Sequence, residues 1–253
     1  MPQVLWYATA IMICASQMER GICELEKISR MNEIAWVIGI AGCALGVCLC
    51  TKANFGLSMI AAPPYIFHIA LRDRLPWFTQ GTAEYIWQGV LLLFMCVVTG
   101  RFRWKYLLSF GTAVVSGLCI DFWFLLLGGN GAYESLGMRI AAFVLGAGIT
   151  SLAIAFVFRT SWPIAIYELL VREIADRFGL NINRVKLGND IVMLALSAAL
   201  AFVLTGGFHG FGPGTILITF VNAPLIAFFG KWLDRWFSFE PRFPKLTKML
   251  SAQ

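Results

Sequence analysis

Six stretches of this chain are long and apolar enough to need a solvent other than water: residues 34–50, 85–98, 106–127, 140–158, 187–205 and 214–229. A helix crosses the hydrocarbon core of a bilayer with roughly 17–25 mostly apolar residues. In lipid every backbone N–H and C=O must be satisfied internally, which leaves only helices and closed barrels. Continuous apolar blocks, rather than period-two alternation, select helices. The second block is short and needs Ala83 and Glu84, or tilt, to cross. Composition points the same way. The chain is 59% hydrophobic and 13% charged, against roughly 45–50% and about 25% in soluble domains.

A seventh apolar stretch, residues 4–15, is too short for a span. No strongly basic region precedes it and no clear small-residue cleavage site follows, so a signal peptide is not expected. An interfacial helix and an extension ahead of the core both remain open. The expected organisation is an N-terminal extension (1–33), two three-span units (34–132 and 133–237) and a tail (238–253).

Charge orients these spans. Of the 20 Lys and Arg residues, all but Lys52, Arg72, Arg74 and Arg139 fall on one side of a six-span topology. Cytoplasmic loops carry such an excess, so the N-side of the core and the C-terminus are expected to be cytoplasmic. Anionic lipid headgroups account for a net charge of +6 without a nucleic-acid partner. Five of the seven cysteines (Cys43, Cys48, Cys50, Cys96 and Cys119) lie inside spans and none forms a CxxC pair. They read as small packing thiols rather than metal ligands.

An internal repeat is visible. The segment after span one, "TKANFGLSMIAAPPYIF", and the segment after span four, "FRTSWPIAIYELLV", align with Lys52 on Arg159, Asn54 on Ser161, Phe55 on Trp162 and Gly56 on Pro163. In the same register Gly39 meets Gly146 and Ala41 meets Gly148. With a small gap Gln88 meets Asn189. Further on, "FGTAVVSG" lies on "PGTILITF", with Gly111-Thr112 on Gly214-Thr215 and Ser116 on Thr219. An odd number of spans per unit turns the second copy upside down. Inverted repeats build many secondary transporters, with the substrate site near the midplane.

The expected fold is therefore an all-α polytopic membrane protein: six core transmembrane helices as two inverted three-span repeats, plus two short non-spanning helices at 56–71 and 163–178. Prolines 63, 64 and 163 suit their starts. For the second, apolar Leu169, Leu170, Ile174 and Phe178 at helical spacing, with Glu168, Arg172 and Asp176 on other faces, predict an amphipathic helix packed at the interface. The competing reading is a helix whose start is aimed inward, offering free N–H groups to an anion.

Polar residues within spans are the candidate sites. Asp121 sits alone in "VVSGLCIDFWFLLLG". A lone ionised Asp costs at least ~2.5–3.5 kcal/mol at a helix centre, so it faces the interior as a coupling or substrate group, or it reaches headgroups at the end of its span. The position matching it in span six is Pro224, which frees a carbonyl one turn earlier. Asn189 and Asp190 open span five beside Arg184 and Lys186, where pairing at the interface is the plain alternative. Glu84 and Gln88 share one face at i, i+4. Thr215, Thr219 and Asn222 stripe one face of span six, as helix glue or a pore lining. Gly42 and Gly46 form a small-xxx-small packing motif. His68 and His209, with no third ligand in the sequence, do not make a metal or haem site. Trp77, Trp104, Trp162, Trp232 and Trp236 lie near span edges as interfacial anchors.

Together the first-span exit "TKANFGLSMIAAPPYIFHIAL", "GTAEYIWQG", "FGTAVVSGLCIDFW", "FRTSWPIAIYELLVREIADRFGLNINRVKLGND" and "FGPGTILITFVNAPLIAFF" resemble the YczE/YyaS/YitT-like group of bacterial integral membrane proteins, over residues 34–237. The resemblance implies a polytopic plasma-membrane protein with a repeat and a transporter-like role, and supplies no substrate. The chain departs from that group where "GLSMIAAPPY" and "RTSWPIAIYE" stand in place of turns that usually carry an acid, with Glu168 the nearest one.

The function expected is a secondary transporter or permease for a small solute, coupled to H⁺ or Na⁺, with a site near Asp121, Asn189 and Asn222. The alternative is a non-transporting subunit that captures a ligand or binds a partner within a larger complex. No hydrolase elbow, P-loop or HExxH pattern is present, so neither an enzyme nor a cofactor is expected. The substrate, the coupling ion and the oligomeric state, a homo-oligomer included, stay open.

Overall fold

The computed structural model describes residues 32–129, 131–207, 210–237 and 239. The N-terminal extension up to residue 31, His209 and nearly all of the tail lie outside the described residues. Among the described residues the regular elements are eight helices: α1 (Asn32–Ala53), α2 (Ala62–Leu71), α3 (Gln80–Thr99), α4 (Lys105–Leu126), α5 (Leu136–Val157), α6 (Ile166–Phe178), α7 (Ile182–Thr205) and α8 (Pro213–Trp236). Six of them are long and apolar enough to cross a membrane, and α2 and α6 are the short ones. All six expected spans are therefore present, five of them longer than their apolar blocks and the third, 106–127, matched in length by α4.

The six long helices alternate in direction. Asn32, Thr99, Lys105, Val157, Ile182 and Trp236 gather at one end of the bundle, the basic end. Residues 54–56, 131–135 and 210–212 gather at the other. Antiparallel α1 and α5 form the central crossing, and it is made by glycine. A Cβ on Gly46 would meet the Gly146 carbonyl at 2.8 Å, and one on Gly146 would meet the Gly46 carbonyl at 2.9 Å. Gly39 lies likewise on the Ala153 carbonyl. Close backbone approach of this kind is how helices associate where lipid removes the hydrophobic drive.

Around that crossing α4 packs on α1 and α8 packs on α5. The short helices α2 and α6 pack on α7 and α3 respectively. Consecutive spans α3 and α4 are in extensive contact. Gly81 and Gly117 bring their backbones together, and Tyr85 lies against Gly117. Consecutive α7 and α8 make no comparable contact among the described residues. Pro224 lies inside α8 without ending it.

Two segments enter the bundle from opposite ends. From the non-basic end, the Leu57 N–H donates to the Gly210 carbonyl at 3.1 Å. Two residues on, the Met59 carbonyl accepts from Ser197 Oγ at 3.3 Å. Ser197 lies eight residues inside α7, about 12 Å from its end. From the basic end, the Ser161 N–H donates to Asn32 Oδ1 at 2.9 Å. The Pro163 carbonyl then accepts from Trp36 Nε1 and Thr112 Oγ1 at 3.2 and 3.3 Å. The Ile166 N–H reaches Gln88 Oε1 at 3.3 Å, eleven residues or about 16 Å in from the Thr99 end of α3. Helix α6 thus starts deep in the bundle and runs back out, with Glu173 pairing Arg103 at the basic end. This corrects the expectation of a helix packed along the interface. Its apolar face (Ile166, Leu169, Leu170, Val171) is buried against protein, which covers the irregular backbone ahead of it as a low-dielectric setting requires. The tips of the two segments meet, with Met59 and Ile60 packing on the cluster that holds Ile164 and Ile166.

Candidate functional site

The deep start of α6 is held by a buried polar cluster. Glu84 and Gln88 stand one turn apart on α3, 8% and 2% exposed. Glu84 Oε1 accepts from Gln88 Nε2 at 3.0 Å and from the Tyr167 hydroxyl at 3.2 Å. With Gln88 Oε1 occupied by the Ile166 N–H, the carboxylate of one helix and the first turn of another form one network. The i, i+4 pair was legible in the sequence. Tyr167 was not, because its aromatic ring reads as part of the apolar face of "IAIYELLV".

On the other side of α6 a cavity of about 450 Å³ opens toward the basic end. Its floor is Trp162 and Ile164, and its walls include Glu168, Arg172 and Lys186. Lys186 Nζ donates to both Glu168 oxygens, at 2.9 and 3.1 Å. Asp190, one turn further along α7, lies within electrostatic reach of the same pair, with Asn189 beside it. Glu168, Asn189 and Asp190 are therefore brought together near this vestibule. The Trp162 indole N–H and the Asn32 side-chain Nδ2 have no protein partner among the described residues.

A second, much smaller cavity of about 20 Å³ lies between α1, α5, α8 and the other entering segment. Leu57, Ser58, Ala61 and Asn222 are among its lining residues. Asn222 Oδ1 accepts from Ser151 Oγ at 2.8 Å. Thr215 is fully buried and its Oγ1 accepts from the Gly212 N–H, while Thr219 donates back to the Thr215 carbonyl. The stripe on α8 therefore bonds helix to helix and closes its own first turn.

Asp121 stands elsewhere. Its Oδ1 accepts from the Gly81 N–H at 2.9 Å and its Oδ2 from Thr79 Oγ1 at 2.7 Å. Thr79 is the N-cap of α3. The carboxylate faces protein, and it latches the end of α4 to the start of α3 at the non-basic end. Asp121, Asn189 and Asn222 do not converge on one place. His68 is buried in α2 with its ring against the Phe78 carbonyl at 2.8 Å. Among the described residues no group of three His, Cys, Asp or Glu side chains gathers to hold a metal ion.

A family model described as a family of unknown function (DUF6198) matches residues 30–231. The chain is 25% identical over 210 residues to the uncharacterized protein YyaS of Bacillus subtilis (strain 168), covering 82% of this chain and 96% of that protein. No solved structure matches. Both matches fall on the region where the sequence resembles YyaS-like proteins.

Proposed function

We propose that this chain, which belongs to the DUF6198 family, is a permease for a small solute, and that its two halves are inverted repeats working by alternating access. Support for the repeat comes from contacts that exchange between the halves, the first two in the register laying Lys52 on Arg159 and the others once the gap that lays Thr112 on Thr215 is allowed. The ring pair Trp36–Trp162 at 5.1 Å becomes Phe143–Phe55 at 5.8 Å. Gly39 on Ala153 becomes Gly146 on Gly46. Thr112 on Pro163 becomes Thr215 beside Gly56. Lys52, donating to the Gly129 carbonyl at the end of α4, becomes Arg159, paired with Asp234 at the end of α8.

The observation that carries the transport reading is where this exchange fails. Leu57 and Ala61 correspond to Ile164 and Glu168. The first pair lines a cavity of about 20 Å³ and the second a vestibule of about 450 Å³. Likewise α3 is latched to α4 through Asp121, while α7 and α8 stand apart. One half is closed where its copy is open, which is what a protein alternating between two faces looks like in one of its states. The excess of Lys and Arg at the open end supports reading that end as the cytoplasmic side of a bacterial plasma membrane.

The test is accessibility. Ile164→Cys and Ala61→Cys, each in a background without native cysteines, are exposed to a membrane-impermeant thiol reagent from either side of a sealed vesicle. Ile164→Cys is expected to label from the cytoplasmic side. Ala61→Cys is expected to label from the other side, faster when Asp121→Asn weakens the latch. An Ala61→Cys that never labels, with or without Asp121→Asn, would leave a protein with one opening, as a ligand-capturing subunit has.

A further inference from the structure

We propose that Glu84 is the proton site of this permease, and that its protonation controls how firmly the first turn of α6 is docked behind the vestibule. The inference rests on the permease reading and names its coupling ion.

The chemistry of the donor set separates a proton from a metal cation. A sodium ion needs several oxygen lone pairs turned toward it. Around Glu84 the neighbouring groups present hydrogens: the Gln88 amide N–H at 3.0 Å and the Tyr167 hydroxyl at 3.2 Å. The oxygen of Gln88 is turned away and taken by the Ile166 N–H. Such a pocket suits a carboxylate that gains and loses one proton and has no set of acceptors for a bare ion.

Among the described residues no cation pairs with Glu84 to offset its charge. None of the ion pairs among the described residues involves Glu84. Three elements pack on α3. From α6 the titratable group facing Glu84 is Tyr167. From α4 the nearest charge is Asp121, a turn away at Gly81. From α2 it is His68, whose ring lies on the Phe78 carbonyl ahead of the helix. An ionised carboxylate held by two neutral donors in a buried setting is stabilised far less than one paired with Arg or Lys, so its charge can be cancelled by a proton within the working cycle.

The step is a single proton transfer. A hydronium ion gives its proton to a carboxylate oxygen of Glu84: one of its O–H bonds breaks, a carboxyl O–H bond forms, water is left and the group becomes neutral. The charge that drew in the Tyr167 hydroxyl and the Gln88 amide is then gone. The link from α3 to Tyr167 and, through Gln88, to the Ile166 N–H weakens. The same helix carries Glu168, Val171 and Arg172 into the vestibule wall, so a looser α6 start changes the depth of the vestibule above Ile164.

The experiment follows Ile164→Cys in purified protein in lipid nanodiscs. Its labelling rate by a small maleimide is divided by that of Phe178→Cys, at the exposed end of α6, which cancels the titration of the thiol itself. The ratio is expected to change with pH by at least about fivefold, the low end of coupling between linked sites. It should be flat in Glu84→Gln and pH-dependent again in Glu84→Asp. Tyr167→Phe, which keeps the carboxylate and removes only the tether, should also flatten it if Glu84→Gln does not fold. A ratio that ignores pH in the parent protein, one that still follows pH in Glu84→Gln, or one that follows sodium at fixed pH overturns the proposal. Two-sided labelling of Ile164→Cys and Ala61→Cys would survive any of these, so the permease reading stands or falls separately.

Discussion

Asp121 accepts the Gly81 N–H at 2.9 Å, so a carboxylate on one spanning helix caps the first turn of the one before it. The first four N–H groups of a helix have no partner inside it. In lipid such a group costs several kcal/mol if left bare. This explains an acid near the end of an apolar run, and why α3 begins five residues before its apolar block does.

Replacing Asp121 by Ala should therefore destabilise the fold by about 1 kcal/mol, the usual cost of losing a helix cap. Asp121→Asn, which keeps an acceptor oxygen, should lose less. Thermal unfolding in detergent reads both. An Ala variant as stable as its parent would mean that Thr79 alone caps α3.

At the central crossing, Gly46→Ala and Gly146→Ala each push a methyl group toward a backbone carbonyl at under 3 Å. Backbone cannot step aside as a flexible side chain can. Each variant should lose about 1–3 kcal/mol, the range for overpacking, again measured by thermal unfolding. Gly148→Ala meets nothing within 4 Å and serves as the neutral comparison.

His68 gives a pH dependence with a definite sign. Burial holds its imidazole below its ordinary value. The Phe78 carbonyl opposes that, Arg72 adds to it and Asp121 opposes it. Above the ordinary value of about 6.5 the ring is neutral in both folded and unfolded chains, and contributes no slope. As pH falls below it, the unfolded chain takes up the proton first, so the fold loses stability until the lower, folded value is passed. Unfolding temperature should drop on acidification through this window, and less in His68→Gln. An equal drop in both would assign the effect to another group.

Ser151 and Asn222 join α5 to α8 at 2.8 Å. Hydrogen bonds between membrane helices average about 0.6 kcal/mol in double-mutant cycles. A cycle on Ser151→Ala and Asn222→Ala should return a coupling of that size. A coupling of zero would show that the two side chains do not meet in the folded protein.

What was legible in the sequence was whatever lipid imposes locally. Apolar length gave all six spans, and the prolines at 63 and 64 marked the start of α2. Charge placed Lys and Arg at one end. What was hidden depended on contacts across the fold. Asp121 and Gly81 are forty residues apart in the chain, and nothing near Asp121 announces a helix start in need of an acceptor. Tyr167 looked like one more apolar-face residue because its hydroxyl only matters once Glu84 lies opposite. The α6 segment read as interfacial because its periodicity is the same whether its apolar face meets lipid or protein. Asn189 and Asn222 are both polar and within spans, and only the fold separates a neighbour of Asp190 from a helix-to-helix bond.

The crossing of α1 and α5 is notched. Where Gly39, Gly46 and Gly146 bring main chain against main chain, Val157, Thr150 and Cys50 of the facing helix lie over the bare glycine positions. Such a joint resists sliding as well as separation, since each of these side chains must leave its notch before one helix turns on the other. It behaves as a keyed shaft rather than a smooth bearing.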